Sequence, residues 1–399
     1  MVLPTCGNCG AGLSLPADKC QNCGQPLTVI LTGQKTTPRP PLDGENEPGK
    51  TVPPIGDDGD DGGRVETLLR QIAAQSHFEE RYELQGKISA GGMGQILRAH
   101  DRILRRQVAI KMMLTASDGH GSSPAIRGQF LKEARVGGRL LHPNVLPVFD
   151  LGVNRSNQIY YTMRLIDGSS LQNCLAAIDK GVLTRLINFP LRKLIESFVG
   201  ACQGVDYAHQ NGVVHLDIKP HNILVSGFSE VFVIDWGLAK VDDVNDSEEL
   251  ADLYRGRSNP HLTASNTGVF GGAVIGTPGY MAPEQARGEF HTFDATTDVF
   301  ALGGVLYSIL YDQPPNQGQG VAEILLTSQR PKQRGKLRQG ILPRSRRVPK
   351  ESLAAVDALE TICLKALEID RENRYQTVDA MIVELNEWLA STPGPPHGF

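Results

Sequence analysis

The stretch that decides the fold reads VVHLDIKPHNIL and spans residues 213–224. In it Asp217 precedes Lys219 by two residues and Asn222 by five, and Asp235 follows in VIDWGLAK, beyond a predicted hairpin. This spacing supplies a carboxylate that can receive a hydroxyl proton, an ammonium beside a phosphate, and two oxygen ligands for a metal ion. His-x-Asp and Asp-x-Gly each occur by chance, but both together, in this order, favour a phosphoryl-transfer site.

The composition is that of an ordinary globular protein. The chain has 399 residues, of which 40% are hydrophobic and 21% charged, and its formal net charge is −4. The length favours two or three domains, and the charge does not indicate a general binder of nucleic acid or membrane surfaces. No apolar run approaches the roughly 20 residues of a membrane helix, and no signal segment opens the chain. We therefore expect a cytoplasmic protein with no membrane segment.

Composition and periodicity divide the chain into five segments. Residues 1–32 hold four cysteines, and residues 33–63 are rich in Pro, Gly and Asp, which predicts a disordered, flexible linker. In residues 64–81, apolar residues at helical spacing predict a short helix that leads into the next segment, the helical lead-in. Residues 82–390 predict one globular unit, with strand-like patterns first and mostly helical patterns later. Residues 391–399 predict a disordered tail.

The four N-terminal cysteines form two C-x-x-C pairs, Cys6 with Cys9 and Cys20 with Cys23, each followed by a glycine. Two such knuckles bring four thiolates within reach of one structural Zn²⁺ ion, so the segment resembles a small zinc ribbon. A redox pair and the absence of any special role are the alternatives. Few basic residues and no interleaved aromatics accompany the cysteines, which disfavours nucleic acid. Two roles stay open for the ribbon: recruitment of a protein partner, or action in cis on the rest of the chain. The three remaining cysteines are predicted core residues in helical segments: Cys174, Cys202 and Cys363.

A glycine-rich motif and a charged pair precede the deciding stretch. In KISAGGMGQI, Gly91, Gly92 and Gly94 would let a hairpin backbone lie close over phosphates without Cβ clashes. Lys111 follows on an alternating strand pattern, and Glu133 lies 22 residues later on a predicted helix. An ion pair between these two would orient Lys111 toward the α- and β-phosphates of a nucleotide. Each charge alone is more often a solvated surface group, but the accompanying motifs favour the functional interpretation.

In combination these motifs resemble a protein serine/threonine kinase domain of the bacterial kind related to eukaryotic kinases. The resemblance covers residues 82–390 and runs through KISAGGMG, VAIK, Glu133, HPN, HLDIKPHN, DWG, GTPGYMAPE, TDVFALG and Arg374. It implies an α+β, bilobal protein-kinase fold, with a small β-rich lobe and a large α-helical lobe. It also implies ATP with Mg²⁺ or Mn²⁺ between the lobes, and protein substrates.

The resemblance carries a role over to each matching residue. Asp217 would be the catalytic base toward the substrate hydroxyl, and Lys219, which resembles serine/threonine rather than tyrosine kinases, would contact the γ-phosphate. Asn222 and Asp235 would ligate Mg²⁺. Thr277 would be the loop residue that bridges Asp217 and Lys219. Glu284 and Arg374 would form the buried ion pair that holds the substrate-binding loop, and Asp298 would support the catalytic-loop backbone.

Adenine requires an apolar slot, and the resemblance supplies its walls. Met163 matches the gatekeeper position before the hinge, where a backbone N–H of Leu165 or Ile166 would bind the adenine edge. The residues expected around ATP are Ile88, Ser89, Ala90, Gly91, Gly92, Met93, Gly94, Ile96, Ala109, Lys111, Met163, Leu165, Ile166 and Leu224. Their apolar members are also plausible as plain core residues, and the roles come from the resemblance.

Four positions depart from the family pattern. Ser89 stands where the first glycine of the loop is usual. Leu216 replaces an Arg that normally pairs with a phosphorylated activation-loop residue, so we expect activity that does not depend strictly on that phosphorylation. Trp236 replaces the usual Phe, and Gly137 stands where a larger apolar residue is usual. A larger ring beside a missing side chain suggests the hypothesis that these two positions compensate in volume.

The sequence therefore predicts a serine/threonine protein kinase that acts in signalling and autophosphorylates. The alternative is a pseudokinase, a binding or scaffold module without catalysis. The presence of all five central residues favours the enzyme: Lys111, Glu133, Asp217, Asn222 and Asp235. A small-molecule phosphotransferase is a third class, which GTPGYMAPE disfavours because it resembles a platform for protein substrates.

Overall fold

The structure is a computed structural model that describes residues 77–91, 93–114, 124–179, 190–227, 230–241, 276–338 and 350–392. The predicted zinc ribbon, the linker and most of the helical lead-in lie outside these residues, as do Gly92 and the tail beyond residue 392. Of the lead-in, Phe78–Arg81 forms a helix, α1. Among the helices that the structure describes, none combines the length and hydrophobicity that a membrane span requires.

The first part of the described chain is built on an antiparallel five-stranded sheet. Its strands are β1 (Tyr82–Ala90), β2 (Gly94–Asp101), β3 (Arg106–Met113), β4 (Val148–Val153) and β5 (Ile159–Arg164). Their order across the sheet is β1-β2-β3-β5-β4. The three strand patterns read from the sequence, YELQGKI, QILRAHD and QVAIKMM, lie in β1, β2 and β3, so the prediction of an early β-rich lobe is confirmed.

The alternation of residues along β3 separates two apolar clusters. Val108 and Ile110 pack in one cluster, with Phe78 of α1, whereas Ala109 belongs to the other, with Phe130. Phe130 lies in helix α2, which spans Pro124–Arg139. Because side chains alternate across a strand, the two clusters lie on opposite faces of the sheet. The same alternation directs Lys111 toward the face that α2 covers.

The second part of the described chain is mostly helical. Its helices are α3 (Leu171–Asp179), α4 (Pro190–Gln210), α5 (Pro283–Arg287), α6 (Ala295–Tyr311), α7 (Val321–Ser328), α8 (Lys350–Ala366) and α9 (Val378–Ser391). Every residue of α6 from Thr296 to Tyr311 is buried, which makes it the central helix of this lobe. The Asp294 side chain caps its N-terminus by accepting from the backbone N–H of Thr296.

Two small sheets lie where the strand-rich and helical parts meet. One contains β6 (Gly168–Ser170), β8 (Ile223–Ser226) and β9 (Val231–Val233) in the order β6-β8-β9. The other pairs β7 (Val213–Val214) with β10 (Lys240–Val241). The β8–β9 hairpin is the hairpin that the sequence predicts between Asn222 and Asp235, and it is confirmed. Because Ile223 pairs with Val233, the hairpin brings the residues flanking it together.

The three cysteines predicted as core residues lie in helices α3, α4 and α8. Cys202 and Cys363 are fully buried, and Cys174 is half-buried. Burial raises the pKa of each of these thiols above its usual value, so none has the character of a reactive nucleophile.

Gly137 of α2 is buried, but the space beside it belongs to β4 and not to Trp236. A Cβ on this glycine would lie 2.8 Å from Cγ2 of Val148, and its next neighbours belong to Leu146 and again to Val148. The hypothesis that Trp236 compensates for the missing side chain is therefore wrong. The close approach of β4 to α2 is what excludes a side chain at this position.

The adjacent glycine gives a matched test of this close approach. Gly138 is exposed, and nothing lies within 4 Å of the position of its Cβ. We expect Gly137→Ala to lower the free energy of unfolding by about 1–3 kcal/mol through overpacking against a stiff Val side chain. Gly138→Ala should leave it unchanged or raise it by up to about 1 kcal/mol. Chemical denaturation followed by circular dichroism measures both, and equal shifts for the two variants would contradict the packing argument.

Candidate active site

Asp217 lies at the centre of a network of hydrogen bonds between segments far apart in sequence. Nζ of Lys219 donates to Oδ2 of Asp217 at 2.7 Å, and the Thr277 hydroxyl donates to Oδ1 at 2.7 Å. Lys219 also donates to the Thr277 hydroxyl at 2.7 Å. Nδ2 of Asn222 donates to the backbone carbonyl of Asp217 at 2.9 Å. The structure thus brings three sequence-predicted residues, Lys219, Asn222 and Thr277, into hydrogen-bonding contact with a fourth, Asp217.

The backbone before Asp217 is strained and is held by a buried carboxylate. Leu216 has a φ of 66°, a left-handed conformation that is unfavourable for a bulky side chain. Asp298 accepts from the backbone N–H of Leu216 at 2.9 Å and from that of His215 at 2.7 Å. Nε2 of Gln285 donates to the Leu216 carbonyl at 2.8 Å. Asp298 is fully buried, so these bonds satisfy a group that would otherwise be costly.

The His215 ring connects this loop to the segment that carries Asp235. Nδ1 accepts from the backbone N–H of Asp217 at 3.2 Å, and Nε2 faces the Ile234 carbonyl at 3.0 Å. These partners assign the proton to Nε2, because a carbonyl can only accept. The ring also packs against Trp236, with 4.5 Å between ring centroids.

Asn222 and Asp235 lie next to each other at one end of the β8–β9 hairpin. The backbone N–H of Ile234, the residue before Asp235, donates to the Asn222 carbonyl at 3.0 Å. Since Nδ2 of Asn222 donates to Asp217, its Oδ1 is the side-chain atom left to coordinate a cation. Amide and carboxylate oxygens suit Mg²⁺, which commonly uses one or two protein carboxylates together with substrate phosphates. Among the described residues, no group of three or more His, Cys, Asp or Glu is placed to hold a metal ion.

Lys111 and Glu133 form a buried ion pair between β3 and α2. Nζ of Lys111 lies 2.5 Å from Oε2 of Glu133, and the side chains are 12% and 9% exposed. Burial alone would lower the pKa of Lys111, but the negative charges of Glu133 and Asp235 outweigh it and raise that pKa. The lysine is therefore a fixed positive charge that can hold phosphate oxygens. The predicted pair is present, and Oε1 of Glu133 also accepts from the Tyr161 hydroxyl at 2.7 Å.

The residues predicted for the adenine slot come from both lobes, and six of the seven pack in one apolar cluster. Ile88 is the exception, because it lies 48% exposed on β1, where a register shift separates Lys87 from Ser89. The clustered residues are Ile96, Ala109, Met163, Leu165, Ile166 and Leu224. The structure brings these six side chains together, and their contact with adenine stays a prediction.

The glycine-rich motif forms the turn between β1 and β2. Ser89 and Ala90 end β1, and the backbone N–H of Gly91 donates to the Gly94 carbonyl at 2.9 Å. A Cβ at Gly94 would lie 2.6 Å from the Met112 carbonyl oxygen, so β2 can approach β3 here only with glycine. Met93 lies within this turn.

Glu284 and Arg374 form a second buried ion pair, in the helical lobe. The guanidinium donates to both carboxylate oxygens, at 2.8 and 2.9 Å, and both side chains are fully buried. The Thr297 hydroxyl donates to Oε1 of Glu284 at 3.0 Å, and Arg374 also donates to three backbone carbonyls. Because every charged group has partners, the pair is satisfied, and removing either residue alone would leave a buried charge. The pair anchors the segment that carries Thr277.

Three residues that take part in these networks are not apparent from the sequence. The pattern around Tyr161, which donates to Glu133, indicates only an ordinary strand residue. The pattern around His209 indicates only the polar end of a helix, yet its Nε2 lies 2.8 Å from Oδ2 of Asp298. Gln285 follows GTPGYMAPE directly, so its place in the motif could have identified it.

Comparisons with known proteins agree with this geometry. The model of the protein kinase domain matches residues 82–384. The serine/threonine-protein kinase PknD of Protochlamydia amoebophila is 32% identical over 80% of this chain and 30% of its own length. PknD of Chlamydia pneumoniae is 30% identical, over 79% of this chain and 32% of its own length. The serine/threonine-protein kinase PknB of Mycobacterium tuberculosis is 33% identical, over 79% of this chain and 44% of its own length.

The chain thus spans between 30% and 44% of the length of these curated relatives. The domain model, in contrast, covers well over half of the chain and includes both lobes and all the networks described above. The fold, with its five-stranded sheet and central buried helix, and the convergence of the motif residues agree with that match. This chain belongs to the protein kinase family.

Proposed function

We propose that this chain is an ATP-dependent serine/threonine protein kinase that acts in signalling and autophosphorylates. The observation that carries the proposal is the network in which Lys219 and Thr277 both bond to the Asp217 carboxylate at 2.7 Å. The three relatives named above are serine/threonine-protein kinases, which supports the same activity. The proposed substrates are protein hydroxyl groups.

ATP would bind between the lobes. We assign Ile96 and Ala109 to the roof of the adenine slot, Leu224 to its floor and Met163 to the gatekeeper position. The backbone of Leu165 or Ile166 would bind the adenine edge. Lys111, fixed by Glu133, would hold the α- and β-phosphates, and the glycine turn would cover them. Ile88 would complete the roof of the adenine slot, and Ser89 would belong to the loop over the phosphates.

Asn222 and Asp235 would hold Mg²⁺ or Mn²⁺. Their oxygen atoms are the ligand type that these ions prefer, and the β8–β9 hairpin keeps the two residues together. When bound, the cation neutralises charge on the phosphates.

Transfer requires that the substrate hydroxyl lose its proton as its oxygen bonds to the γ-phosphorus. Asp217 is the group that receives this proton, while the bond to the bridging oxygen breaks and ADP leaves. Each carboxylate oxygen has two acceptor sites, so the bonds from Lys219 and Thr277 leave room for the hydroxyl. Lys219, already beside Asp217, would contact the γ-phosphate as it transfers.

The first measurement is phosphate transfer from radiolabelled ATP to a generic protein substrate with Mg²⁺. The wild type should transfer phosphate, and Asp217→Asn should lower the rate by about 10²–10⁴-fold while nucleotide still binds, because the proton acceptor is lost. A matched control is Asp357→Asn, at a side chain that is 62% exposed, which should leave the rate unchanged. Nucleotide binding without transfer by the wild type would favour the pseudokinase alternative.

The surroundings of Leu216 support the proposal that activity does not depend strictly on activation-loop phosphorylation. Leu216 is buried in an apolar cluster with Val214, Leu238 and Phe293, so it presents no charge to a phosphate. The nearby Lys240 ammonium donates to the Phe293 carbonyl at 2.9 Å. Apolar packing thus ties the catalytic loop to its neighbours where a phosphate and an Arg would otherwise do so.

Dephosphorylation tests this proposal directly. After treatment with a phosphatase, confirmed by intact mass, the protein should keep most of its initial rate, since the apolar cluster is unaffected by phosphate. The rate is measured in the first turnovers, before autophosphorylation restores the modification. Loss of activity that returns only with phosphate in residues 242–275 would contradict the proposal.

We also propose that residues 1–32 form a zinc ribbon and that residues 33–63 link it to the kinase domain through the lead-in at residues 64–81. The paired C-x-x-C spacing supports one structural zinc held by four thiolates. The proposed role of the ribbon is to bind a protein partner, and action in cis on the kinase domain is the alternative. The proposed kinase domain ends at residue 390, ahead of a tail at residues 391–399.

Metal analysis of the full chain tests the ribbon. The purified protein should contain about one zinc per chain. Cys6→Ser or Cys20→Ser should lower this content because each removes a thiolate ligand. The control Cys174→Ser changes a free, half-buried thiol of helix α3 and should retain the zinc. Equal zinc content in all three variants would show that the paired cysteines do not bind it.

A further inference from the structure

The Glu133 carboxylate is held from both sides by one cross-strand pair of residues. Lys111 of β3 and Tyr161 of β5 are direct partners in the antiparallel register. Their side chains therefore project from the same face of the sheet, side by side. Nζ of Lys111 donates to Oε2 of Glu133 at 2.5 Å, and the Tyr161 hydroxyl donates to Oε1 at 2.7 Å. Each carboxylate oxygen thus has its own donor from a different strand.

The Tyr161 side chain is well suited to act as a permanent donor. It is 2% exposed, and its ring packs against Phe130, one turn before Glu133 on α2, with 5.1 Å between centroids. Burial, reinforced by the charge of Glu133, raises the pKa of Tyr161 well above its usual value. The hydroxyl therefore stays protonated and donates to the carboxylate. Packing against Phe130 fixes the orientation of the Tyr161 ring, and this orientation sets the direction of the hydrogen bond to Glu133.

We propose that Tyr161 is a positioning residue for ATP: it holds Glu133 so that this carboxylate presents one oxygen to Lys111. The inference rests on the proposed kinase function. A carboxylate with a single donor can rotate about its last bond, and its other oxygen would be buried without a partner. The tyrosine removes that freedom and ties α2 to the central sheet. The proposed phosphate-binding ammonium of Lys111 is thus linked to the Tyr161 hydroxyl through two hydrogen bonds, both made by the Glu133 carboxylate.

The test compares Tyr161→Phe with Tyr160→Phe. Both changes remove one hydroxyl from adjacent residues of β5, but Tyr160 lies on the other face, in the cluster with Phe78 and Tyr82. We expect Tyr161→Phe to raise KM for ATP and to lower kcat/KM for ATP roughly tenfold, as for the loss of a hydrogen bond to a charged group. KM for the protein substrate should not change. Tyr160→Phe should leave all three constants at the wild-type values.

A double-mutant cycle with Glu133→Ala, which removes both acceptor oxygens, separates positioning from packing. If the hydroxyl acts through Glu133, Tyr161→Phe should have little further effect on kcat/KM for ATP once Glu133 is replaced. Effects that add in the double variant would overturn the proposal, as would a Tyr161→Phe enzyme with the wild-type KM for ATP.

The affinity for a fluorescent ATP analogue is measured on the same variants, so that the inference can be judged apart from catalysis. A wild type that transfers no phosphate would defeat the proposed function. The positioning role would still be supported if only Tyr161→Phe bound the analogue more weakly than the wild type. It would be contradicted if Tyr161→Phe, Tyr160→Phe and the wild type all bound the analogue with the same affinity.

Discussion

The arrangement of the loop that carries Asp217 depends on a single buried carboxylate, that of Asp298 in the central helix of the helical lobe. It has no access to solvent, so its charge must be satisfied by hydrogen bonds. Two of these come from the backbone N–H groups of His215 and Leu216, and His209 provides a third partner. These bonds stabilise a left-handed residue directly before Asp217, whose carboxylate consequently faces Lys219. Backbone strain at the catalytic loop is thus offset by a charge that the core itself holds.

Two buried ion pairs fix the parts that surround this loop. Lys111 and Glu133 connect a strand to a helix in the small lobe, and Glu284 and Arg374 connect the Thr277 segment to the helical lobe. Buried ion pairs contribute little net stability, because desolvation offsets most of the attraction between the charges. Their effect is geometric, since any other arrangement would leave a charge buried without a partner. Apolar packing makes the lobes compact, and the charge pairs select one arrangement of the functional groups.

Motif spacing predicted much of this structure, because chemistry that needs several groups also constrains where they lie in sequence. The three N-terminal strands, the hairpin before Asp235 and the Lys111–Glu133 pair all follow from local pattern. Tyr161 could not be found in this way, because its role arises from the β3–β5 register, a long-range feature that no local period encodes. The Gly137 hypothesis was wrong for the same reason: the neighbour of that glycine is set by how β4 crosses α2.

The position of Leu216 shows how one substitution can change what a loop needs. An Arg there would be a buried charge that requires a phosphate, whereas Leu216 joins an apolar cluster with Leu238 and Phe293. Burial of apolar surface acts at all times and at any phosphorylation state, so it cannot be switched by a modification. A loop that is stabilised in this way is not expected to be ordered by phosphorylation. If activity is independent of that phosphorylation, as proposed above, we expect control to act elsewhere, on substrate access, on the orientation of helix α2 or through the N-terminal segment.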